Sequence, residues 1–317
     1  MTTPIFMFPG QSSRYPEMIH RLFELAPREA EATLLEAASA LGRDLARHYR
    51  PDNACMFARN RDVQVGVFLA NHIYLLAIER AGVRAPLSLG LSLGEYNHLV
   101  HAGALGFVDA LRLVDARGVA YDEGPRGEMA SVFPLPLEAL EGVVERASAH
   151  GPLEITGLNS PTQHVIAGSP EAISAASDIV REELGCECVV FERRLPMHAA
   201  IFRPVVDRVA PLLVAAPWRA LRLPYLSNAL GEIERSPTPE RVIELLSLHV
   251  HRPVLWRASI EAALRLHPDA AFVEVGPRAT LHNLLTRRWI SNRRFRTDVD
   301  SPDAIEAVAR ELSHGSC

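Results

Sequence analysis

Residues 88–100, which read SLGLSLGEYNHLV, predict a strand, a sharp turn and a helix within thirteen positions. A short apolar run closes at Gly90, and apolar residues return at helical spacing after Gly94. Ser92 lies midway between these glycines, in the G-x-S-x-G spacing that is typical of a turn raising a serine above the end of a strand. Because glycine has no Cβ, the chain can fold back tightly on both sides of the serine.

The segments around this stretch predict a larger α/β body. The run 5–8, IFMF, ends at a Pro-Gly turn and predicts a buried strand, as does AFVEVGP at 271–277. Apolar residues at helical spacing predict helices over 16–41, 63–81 and 279–289. Short buried strands alternating with helices favour a parallel sheet, so we expect an α/β-hydrolase-like large subdomain.

Residues 127–195 have a different pattern. Strands are predicted in EMASVFPL, HVIAGS and CECVVFERRL, and two helical patterns of similar length separate them. This alternation is typical of a small ferredoxin-like module inserted in a larger body. We therefore expect 127–195 to form a ferredoxin-like small subdomain, and 1–126 with 196–317 to form the catalytic large subdomain.

Composition excludes several classes of protein. The 317 residues are 48% hydrophobic and 22% charged, as in ordinary globular proteins, and the net charge of −5 argues against general nucleic-acid binding. Apolar runs of membrane-spanning length and a signal-peptide pattern are missing from the sequence, so we expect a cytoplasmic protein without a membrane partner. The four cysteines lack metal-site or redox-pair spacing, which predicts free thiols and no metal.

Ser92 can act as a nucleophile only with a base and with donors for the developing oxyanion. The N–H of Leu93 is the natural first donor. His98 and His101 follow the turn at helical spacing, and we expect them to face solvent or a neighbouring helix. His198 follows a strand and a proline, where 127–195 rejoins the body. Its position alone leaves two interpretations open, a core histidine or the base.

Ordered motifs along almost the whole chain favour the second interpretation. They are FPGQSS (8–13), GLSLGEY (90–96), RG (117–118), GEMASV (127–132), NSPTQHVIAG (159–168), MHAAIFRPV (197–205), LSNALGE (226–232), HRPVLW (251–256) and FVEVGPRATLHNLL (272–285). In this order they resemble the malonyl-CoA:acyl-carrier-protein transacylase family, which includes the acyltransferases of polyketide synthases. Nine motifs in order are far more specific than any one of them.

The resemblance implies a serine–histidine dyad. Ser92 matches the nucleophile that forms the acyl-enzyme, and His198 matches the general base. Gln11 matches the second contributor to the oxyanion hole, beside the Leu93 N–H. In the family a backbone carbonyl near the RPVLW segment orients the base, which makes Leu255 the expected residue here.

Arg117 is the residue most informative about substrate. It matches the family's carboxylate clamp, and a guanidinium offers a malonyl carboxylate a bidentate partner that a neutral acetyl group cannot use. The alternative is a surface arginine on a helix. Gln64 matches a glutamine lining the acyl pocket. Leu91, Tyr121 and Met197 depart from the family's usual residues around that pocket, so the identity of the acyl group stays open.

The predicted function is transfer of an acyl group, malonyl from malonyl-CoA in the first place, through acyl-Ser92 to the phosphopantetheine thiol of an acyl carrier protein. Polyketide or fatty acid biosynthesis would use this reaction, and no bound cofactor is expected. The alternatives are a hydrolase that clears stalled acyl groups from carrier proteins, a transferase of an unusual unit such as an aminoacyl group, and a docking module without catalysis. The basic run 286–296 offers Arg287, Arg288, Arg293 and Arg294 as docking residues for an acidic carrier protein.

Overall fold

The computed structural model describes residues 2–301 and 303–314. Its strands are β1 (Thr3–Phe8), β2 (Leu87–Gly90), β3 (Glu128–Phe133), β4 (Leu153–Leu158), β5 (His164–Gly168), β6 (Glu187–Glu192), β7 (Tyr225–Leu226), β8 (Ile233–Glu234), β9 (Ala270–Glu274) and β10 (Arg294–Arg296). Its α-helices are α1 (Met18–Leu25), α2 (Pro27–Leu41), α3 (Leu45–His48), α4 (Asn60–Arg80), α5 (Gly94–His101), α6 (Phe107–Asp122), α7 (Leu137–Ala147), α8 (Pro170–Asp178), α9 (Val206–Ala215), α10 (Pro239–His249), α11 (Trp256–Leu266), α12 (Thr280–Leu284) and α13 (Ala304–His314).

The body is built on a parallel sheet in the order β10-β9-β1-β2. Strands β1, β2 and β9 are almost entirely apolar and buried, as expected where helices cover both faces of a parallel sheet. Phe8 pairs with Gly90 at the carboxyl ends of β1 and β2. The connections that leave this edge place FPGQ and the Ser92 turn side by side, where open α/β sheets usually bind ligands. The predicted α/β fold is confirmed.

The edge strand β10 was not predicted. The sequence predicts a helix over 279–289, but α12 ends at Leu284. The guanidinium of Arg294 donates to the backbone carbonyls of His282 and Leu285, which satisfies acceptors that the end of α12 leaves unpaired. The basic run therefore turns back and supplies β10 to the sheet.

The second sheet is antiparallel, in the order β4-β5-β3-β6. With α7 and α8 it gives the sequence β3-α7-β4-β5-α8-β6, which is the ferredoxin-like arrangement. The sequence pattern missed β4, because Gly157 and a register shift before it interrupt the alternation of apolar residues. All four strands fall within 127–195, and the assignment of subdomain boundaries to 127–195 and to 1–126 with 196–317 stays a prediction.

Two long helices place further candidate residues under the first sheet. Helix α4 is buried on nearly every side and carries Gln64, and α6 packs along it and carries Arg117. Gly118 allows this close approach, since a Cβ there would lie 2.5 Å from the Cα of Arg61. The expected single helix over 16–41 is divided into α1 and α2, because Pro27 starts a new helix.

The remaining predictions concern membrane-spanning helices, metal sites and the state of the cysteines. Over residues 2–301 and 303–314, no helix is long and apolar enough to cross a membrane. The same residues hold no cluster of three or more His, Cys, Asp or Glu side chains that could bind a metal. Cys55, Cys186 and Cys188 are free thiols, and Cys317 lies outside the described residues.

Candidate active site

The turn at Ser92 is a strained backbone conformation held by close packing. Ser92 has φ of +53°, a left-handed value that non-glycine residues rarely adopt. A Cβ on Gly90 would lie 2.0 Å from the carbonyl group of Gly94, and one on Gly94 would lie 2.0 Å from the oxygen of Phe8. Only glycine fits at either position, so β1, β2 and α5 meet closely enough to force the serine upward.

Asn228 clamps this turn from the opposite side. Its side chain accepts a hydrogen bond from the Ser92 N–H at 2.7 Å and donates one to the carbonyl of Gly90 at 2.6 Å. The backbone carbonyl of Asn228 accepts from the Leu255 N–H at 2.8 Å. Sequence reasoning missed this role, although the motif LSNALGE contained the asparagine. Nothing in the sequence shows that its amide pairs with the elbow 136 positions away.

The structure brings Ser92 and His198 together. The Ser92 hydroxyl lies 2.8 Å from Nε2 of His198, and Nδ1 of that ring lies 2.7 Å from the backbone carbonyl of His249. A carbonyl can only accept, so Nδ1 carries the proton and Nε2 is left to accept from the serine. His198 is 4% exposed and, like Ser92, has a positive φ, of +64°.

The expected orienting carbonyl, that of Leu255, was wrong. The Leu255 oxygen instead accepts from the N–H and the hydroxyl of Ser259, both at 3.0 Å. Leu255 precedes the first residue of α11, so its carbonyl points along the helix axis and makes the first hydrogen bonds of that helix. His249, the last residue of α10, takes the orienting role.

Burial lowers the pKa of His198 well below the ordinary histidine value. The positive charges that His249 and Arg117 can present lower it further, whereas the hydrogen bond to the His249 carbonyl acts in the opposite direction. The imidazole is therefore neutral at neutral pH, which is the state that can accept a proton from Ser92.

A fully buried carboxylate, that of Glu95, lies behind the dyad. One oxygen accepts from the Tyr225 hydroxyl, and also from the Asn228 N–H at 3.3 Å. The other oxygen lies 3.0 Å from Nδ1 of His249, whose ring stacks on that of His198 with centroids 4.7 Å apart. Glu95 thus connects Asn228, which holds the Ser92 turn, with His249, whose carbonyl orients the His198 ring. Neither Glu95 nor His249 was predicted.

The two predicted oxyanion contributors lie on the same edge of the sheet. Leu93 caps α5, and within the part of the chain that the structure describes no acceptor is assigned to its N–H. Gln11 follows β1 and lines the cavity beside Ser92. Its amide nitrogen lies 3.5 Å from the sulfur of Met197, and its oxygen accepts from Asn60 at 3.0 Å.

Arg117 is buried, with 2% exposure, which rules out the surface-arginine interpretation. Its guanidinium donates to the side-chain oxygen of Gln64, and the amide nitrogen of Gln64 donates to the side-chain oxygen of Asn60. The guanidinium carbon lies 4.1 Å from the ring centre of Tyr121 and 5.2 Å from that of Tyr96. These aromatic faces stabilise a cation without neutralising it.

A cavity of about 300 Å³ opens beside Ser92. The body contributes Leu91 and Met197 to its wall, next to the dyad, and the small sheet contributes Met129, Ser131, Val165 and Phe191. The predicted acyl-pocket set therefore divides into two groups. Leu91 and Met197 line the cavity, whereas Gln64 and Tyr121 are fully buried around Arg117.

The four arginines predicted to dock a carrier protein have different surroundings. Arg287 and Arg288 are exposed and follow α12, whose residues Asn283 and Leu284 line the cavity. Arg293 lies 3.6 Å from a carboxylate oxygen of Glu311. Arg294 donates to backbone carbonyls near the end of α12, as described above.

Comparison with known proteins gives relatives along the whole chain. No family model matches it. The malonyl CoA-acyl carrier protein transacylase of Escherichia coli (strain K12) is 30% identical over 317 residues, covering 98% of this chain and 100% of that protein. The protein of the same name from Bacillus subtilis (strain 168) is 29% identical over 319 residues, with 98% of both chains covered.

Solved structures agree with these relatives. The malonyl CoA-acyl carrier protein transacylase from Coxiella burnetii superposes with a TM-score of 0.89 at 26% identity, covering 99% of this chain and 98% of that one. A malonyl-transacylase in complex with its type II PKS acyl-carrier protein gives a TM-score of 0.88 at 26% identity, covering 98% of this chain and all of that one.

Proposed function

This chain belongs to the malonyl CoA-acyl carrier protein transacylase family, and we propose that it moves a malonyl group from malonyl-CoA to the phosphopantetheine thiol of an acyl carrier protein. The observation that carries the proposal is the 2.8 Å contact between the Ser92 hydroxyl and the neutral Nε2 of buried His198, at the wall of an open cavity. No metal or resident cofactor enters the proposed chemistry.

In the first half-reaction, Nε2 of His198 accepts the Ser92 proton while Oγ attacks the thioester carbonyl. The N–H groups of Leu93 and Gln11 stabilise the oxyanion of the tetrahedral intermediate. The carbon–sulfur bond then breaks, the departing thiolate takes the proton from His198, and acyl-Ser92 remains. The carbonyl of His249 keeps the imidazole in the required tautomer throughout.

In the second half-reaction, the thiol of the carrier protein's phosphopantetheine arm gives its proton to His198 and attacks the ester carbonyl. The bond between Ser92 Oγ and the acyl carbon breaks, and the proton returns to the serine. The reaction is symmetric, one thioester being exchanged for another, so the same two donors serve both tetrahedral intermediates.

Arg117 supports malonyl as the acyl group. Its charge is buried among Gln64, Tyr96 and Tyr121, and within the described residues no carboxylate forms an ion pair with it. A buried cation without a counter-ion is costly, so an acyl group that brings its own carboxylate is favoured over a neutral one. Gln64 and Tyr121 then act as residues that position the guanidinium.

For carrier docking, Arg287 and Arg288 remain the better candidates of the original four. Both are exposed, and they follow the helix that contributes Asn283 and Leu284 to the cavity wall. Arg293 and Arg294 have protein partners already, so we assign them to holding β10 and α12 in place.

Intact-protein mass tests the proposal. The protein is incubated with malonyl-CoA and, separately, with acetyl-CoA. We expect a malonyl increment that Ser92→Ala abolishes, and little acetyl increment. Equal labelling by both donors would contradict malonyl selection, and labelling of Ser92→Ala would contradict the mechanism.

The acceptor is tested by adding a holo acyl carrier protein to the acylated enzyme. We expect the increment to move to the carrier. Loss of the increment to water at the same rate with and without carrier would instead identify the hydrolase. Efficient labelling only by aminoacyl thioesters would identify a transferase of that unusual unit.

A further inference from the structure

Arg278 has a backbone conformation that its side chain does not explain. Three non-glycine residues of the described chain have a positive φ, and two of them are Ser92 and His198. The third is Arg278, with φ of +65°, and its side chain is exposed. A non-glycine residue in this region costs about 1–3 kcal/mol and is concentrated at functional sites. Glycine would relieve that cost, so the presence of an arginine at this position favours a function for its side chain.

Arg278 lines a groove that continues from the active-site cavity. Ser12 and Phe191 belong to the walls of both the cavity and the groove, so the two are neighbours. Beyond Phe191 the groove is lined by Arg14 and Arg278, and the adjoining depression that shares Arg14 and Phe191 is lined by Arg194. Three arginines from distant parts of the sequence thus converge outside the mouth of the cavity.

The charges of Arg194 and Arg278 both act on the guanidinium of Arg14. Burial lowers the pKa of Arg14, and the charges of Arg194 and Arg278 lower it further. Glu192 acts in the opposite direction on Arg14 and lies 3.8 Å from Nε of Arg194, so one carboxylate is shared between these two cations.

The other acidic residues near these arginines, Asp298 and Glu128, already have partners. Asp298 lies 3.1 Å from Nε of Arg21, accepts from the Tyr15 hydroxyl at 3.0 Å, and accepts the backbone N–H of Arg278 at 2.6 Å. Glu128 lies 3.4 Å from Arg193. The positive charge around Arg14 is therefore in excess, and an anion would relieve it.

Each of the three arginines has a contact that fixes the position of its guanidinium group. Nη1 of Arg14 donates to the carbonyl of Gln11 at 3.2 Å, which ties it to the oxyanion side of the active site. Arg194 donates to the carbonyl of Ala58, and the guanidinium carbon of Arg278 lies 5.8 Å from the ring centre of Tyr15. Preorganised guanidinium groups bind phosphate oxygens in bidentate fashion.

We propose that Arg14, Arg194 and Arg278 form a phosphate site for the far end of the pantetheine arm whose thioester lies at Ser92. This inference rests on the proposed function, because it assumes that a pantetheine thioester occupies the cavity. The shared ligand chemistry is a phosphate ester on a pantetheine arm, which both CoA and a holo carrier protein present.

The first experiment separates phosphate recognition from catalysis. Rates of Ser92 acylation are measured with malonyl-CoA and with malonyl-pantetheine, which lacks the phosphate. For Arg278→Gly and Arg14→Gln we expect kcat/KM to fall about tenfold with malonyl-CoA and to be unchanged with malonyl-pantetheine. Arg146→Gln, an exposed arginine paired with Glu183, removes the same charge and should change neither rate.

Arg278→Gly gives a second, independent readout. Because glycine tolerates a positive φ, we expect the melting temperature to stay the same or rise while the malonyl-CoA rate falls. Equal losses with both thioesters would mean that the arginines support the fold only. Full activity of both variants with malonyl-CoA would overturn the phosphate site.

The source of the phosphate is resolved by assaying the half-reactions separately. Slower acylation by malonyl-CoA assigns the site to CoA, slower transfer from acyl-Ser92 to holo carrier protein assigns it to the carrier, and slowing of both assigns it to both. Any of the three supports the site.

A binding measurement keeps the inference independent of acyl transfer. Calorimetry on Ser92→Ala compares 4′-phosphopantetheine with pantetheine, and we expect the phosphorylated ligand to bind about tenfold more tightly and Arg278→Gly to remove that difference. If this preference is present but acylation fails, the proposed function is wrong and the site stands. Equal binding of both ligands contradicts the site itself.

Discussion

Ser92, which lines the cavity, and Arg117, which is buried, are both parts of the proposed site, but different forces hold them. The Ser92 elbow is fixed by backbone contacts, since β1, β2 and α5 touch through Gly90 and Gly94, and Asn228 bonds to the backbone on both sides of the turn. Arg117 is held by side chains alone, those of Gln64, Tyr96 and Tyr121.

This difference suggests that the Ser92 turn governs whether the reaction occurs and that the surroundings of Arg117 govern which acyl group reacts. Backbone packing leaves Ser92 almost no alternative position, which would preorganise the proposed attack. Side-chain contacts around the guanidinium can be exchanged one residue at a time without disturbing the sheet. Changes at the elbow should therefore abolish the reaction, and changes around Arg117 should alter which acyl group reacts.

The largest effect is expected from Gly94→Ala. The new methyl group would lie 2.0 Å from the oxygen of Phe8, so β1 and α5 must move apart. We expect the free energy of unfolding to fall by about 3 kcal/mol and acylation of Ser92 to be undetectable. Chemical denaturation and intact mass measure the two quantities.

Gly142→Ala is the matched control for that change. No atom lies within 4 Å of the position where its Cβ would be, and it is in the middle of α7. We expect this variant to be more stable by about 0.5–1 kcal/mol and fully active. A Gly94→Ala protein with wild-type activity would show that close packing does not hold the elbow.

The next effect is a loss of selectivity in Arg117→Ala. Removing the partner of the malonyl carboxylate should lower kcat/KM for malonyl-CoA by about 10- to 100-fold, since hydrogen bonds to charged groups contribute about 1.5–3 kcal/mol. The low rate with acetyl-CoA should not fall. Arg112→Ala, on the same helix but exposed, is the control and should leave both rates unchanged.

A smaller effect is expected in the pH profile of Ser92 acylation. In the proposed mechanism His198 acts when it is neutral, and its lowered pKa means that protonation should remove activity only as pH falls through that lowered value. We expect kcat/KM to stay level from pH 7.5 through pH 6.5, about the pKa of an ordinary histidine.

Half-maximal activity near pH 6.5 would contradict the cause given for this shift, namely burial of His198 together with the charges of His249 and Arg117. In Arg117→Ala one of those charges is gone, so the acid limb should move to higher pH. Stopped-flow acylation with a thioester that lacks a carboxylate measures the limb without interference from substrate ionisation.

The smallest effect is expected from Tyr121→Phe. Within the described residues, the buried hydroxyl of Tyr121 has no hydrogen-bond partner, whereas its ring faces Arg117 and packs against Phe202. Phenylalanine keeps both ring contacts and removes an unsatisfied group, so thermal unfolding should show an unchanged or slightly higher stability, by up to about 1 kcal/mol. A loss of more than that would mean that the hydroxyl is paired.

Local chemistry explains which features were predictable. The elbow needs glycine at two positions and a serine between them, and these requirements are met by adjacent residues. The apolar strands and the helix after the elbow follow from patterns of the same short range. The helix expected over 279–289 ends early, at Leu284, and Arg294 donates to carbonyls at that end, a contact that no pattern within the run indicates.

The sequence by itself determined the parallel α/β body, the inserted antiparallel module and the turn at Ser92, because periodicity and short motifs encode them. That His198 is the partner of Ser92 was implied only by the resemblance of the ordered motifs to the family. Only the tertiary structure decided that His249, not Leu255, orients the base, that Asn228 clamps the elbow, and that Arg14, Arg194 and Arg278 converge. A carbonyl's direction carries no side-chain signature, and residues far apart in the chain meet only when the packing of the core sets their positions.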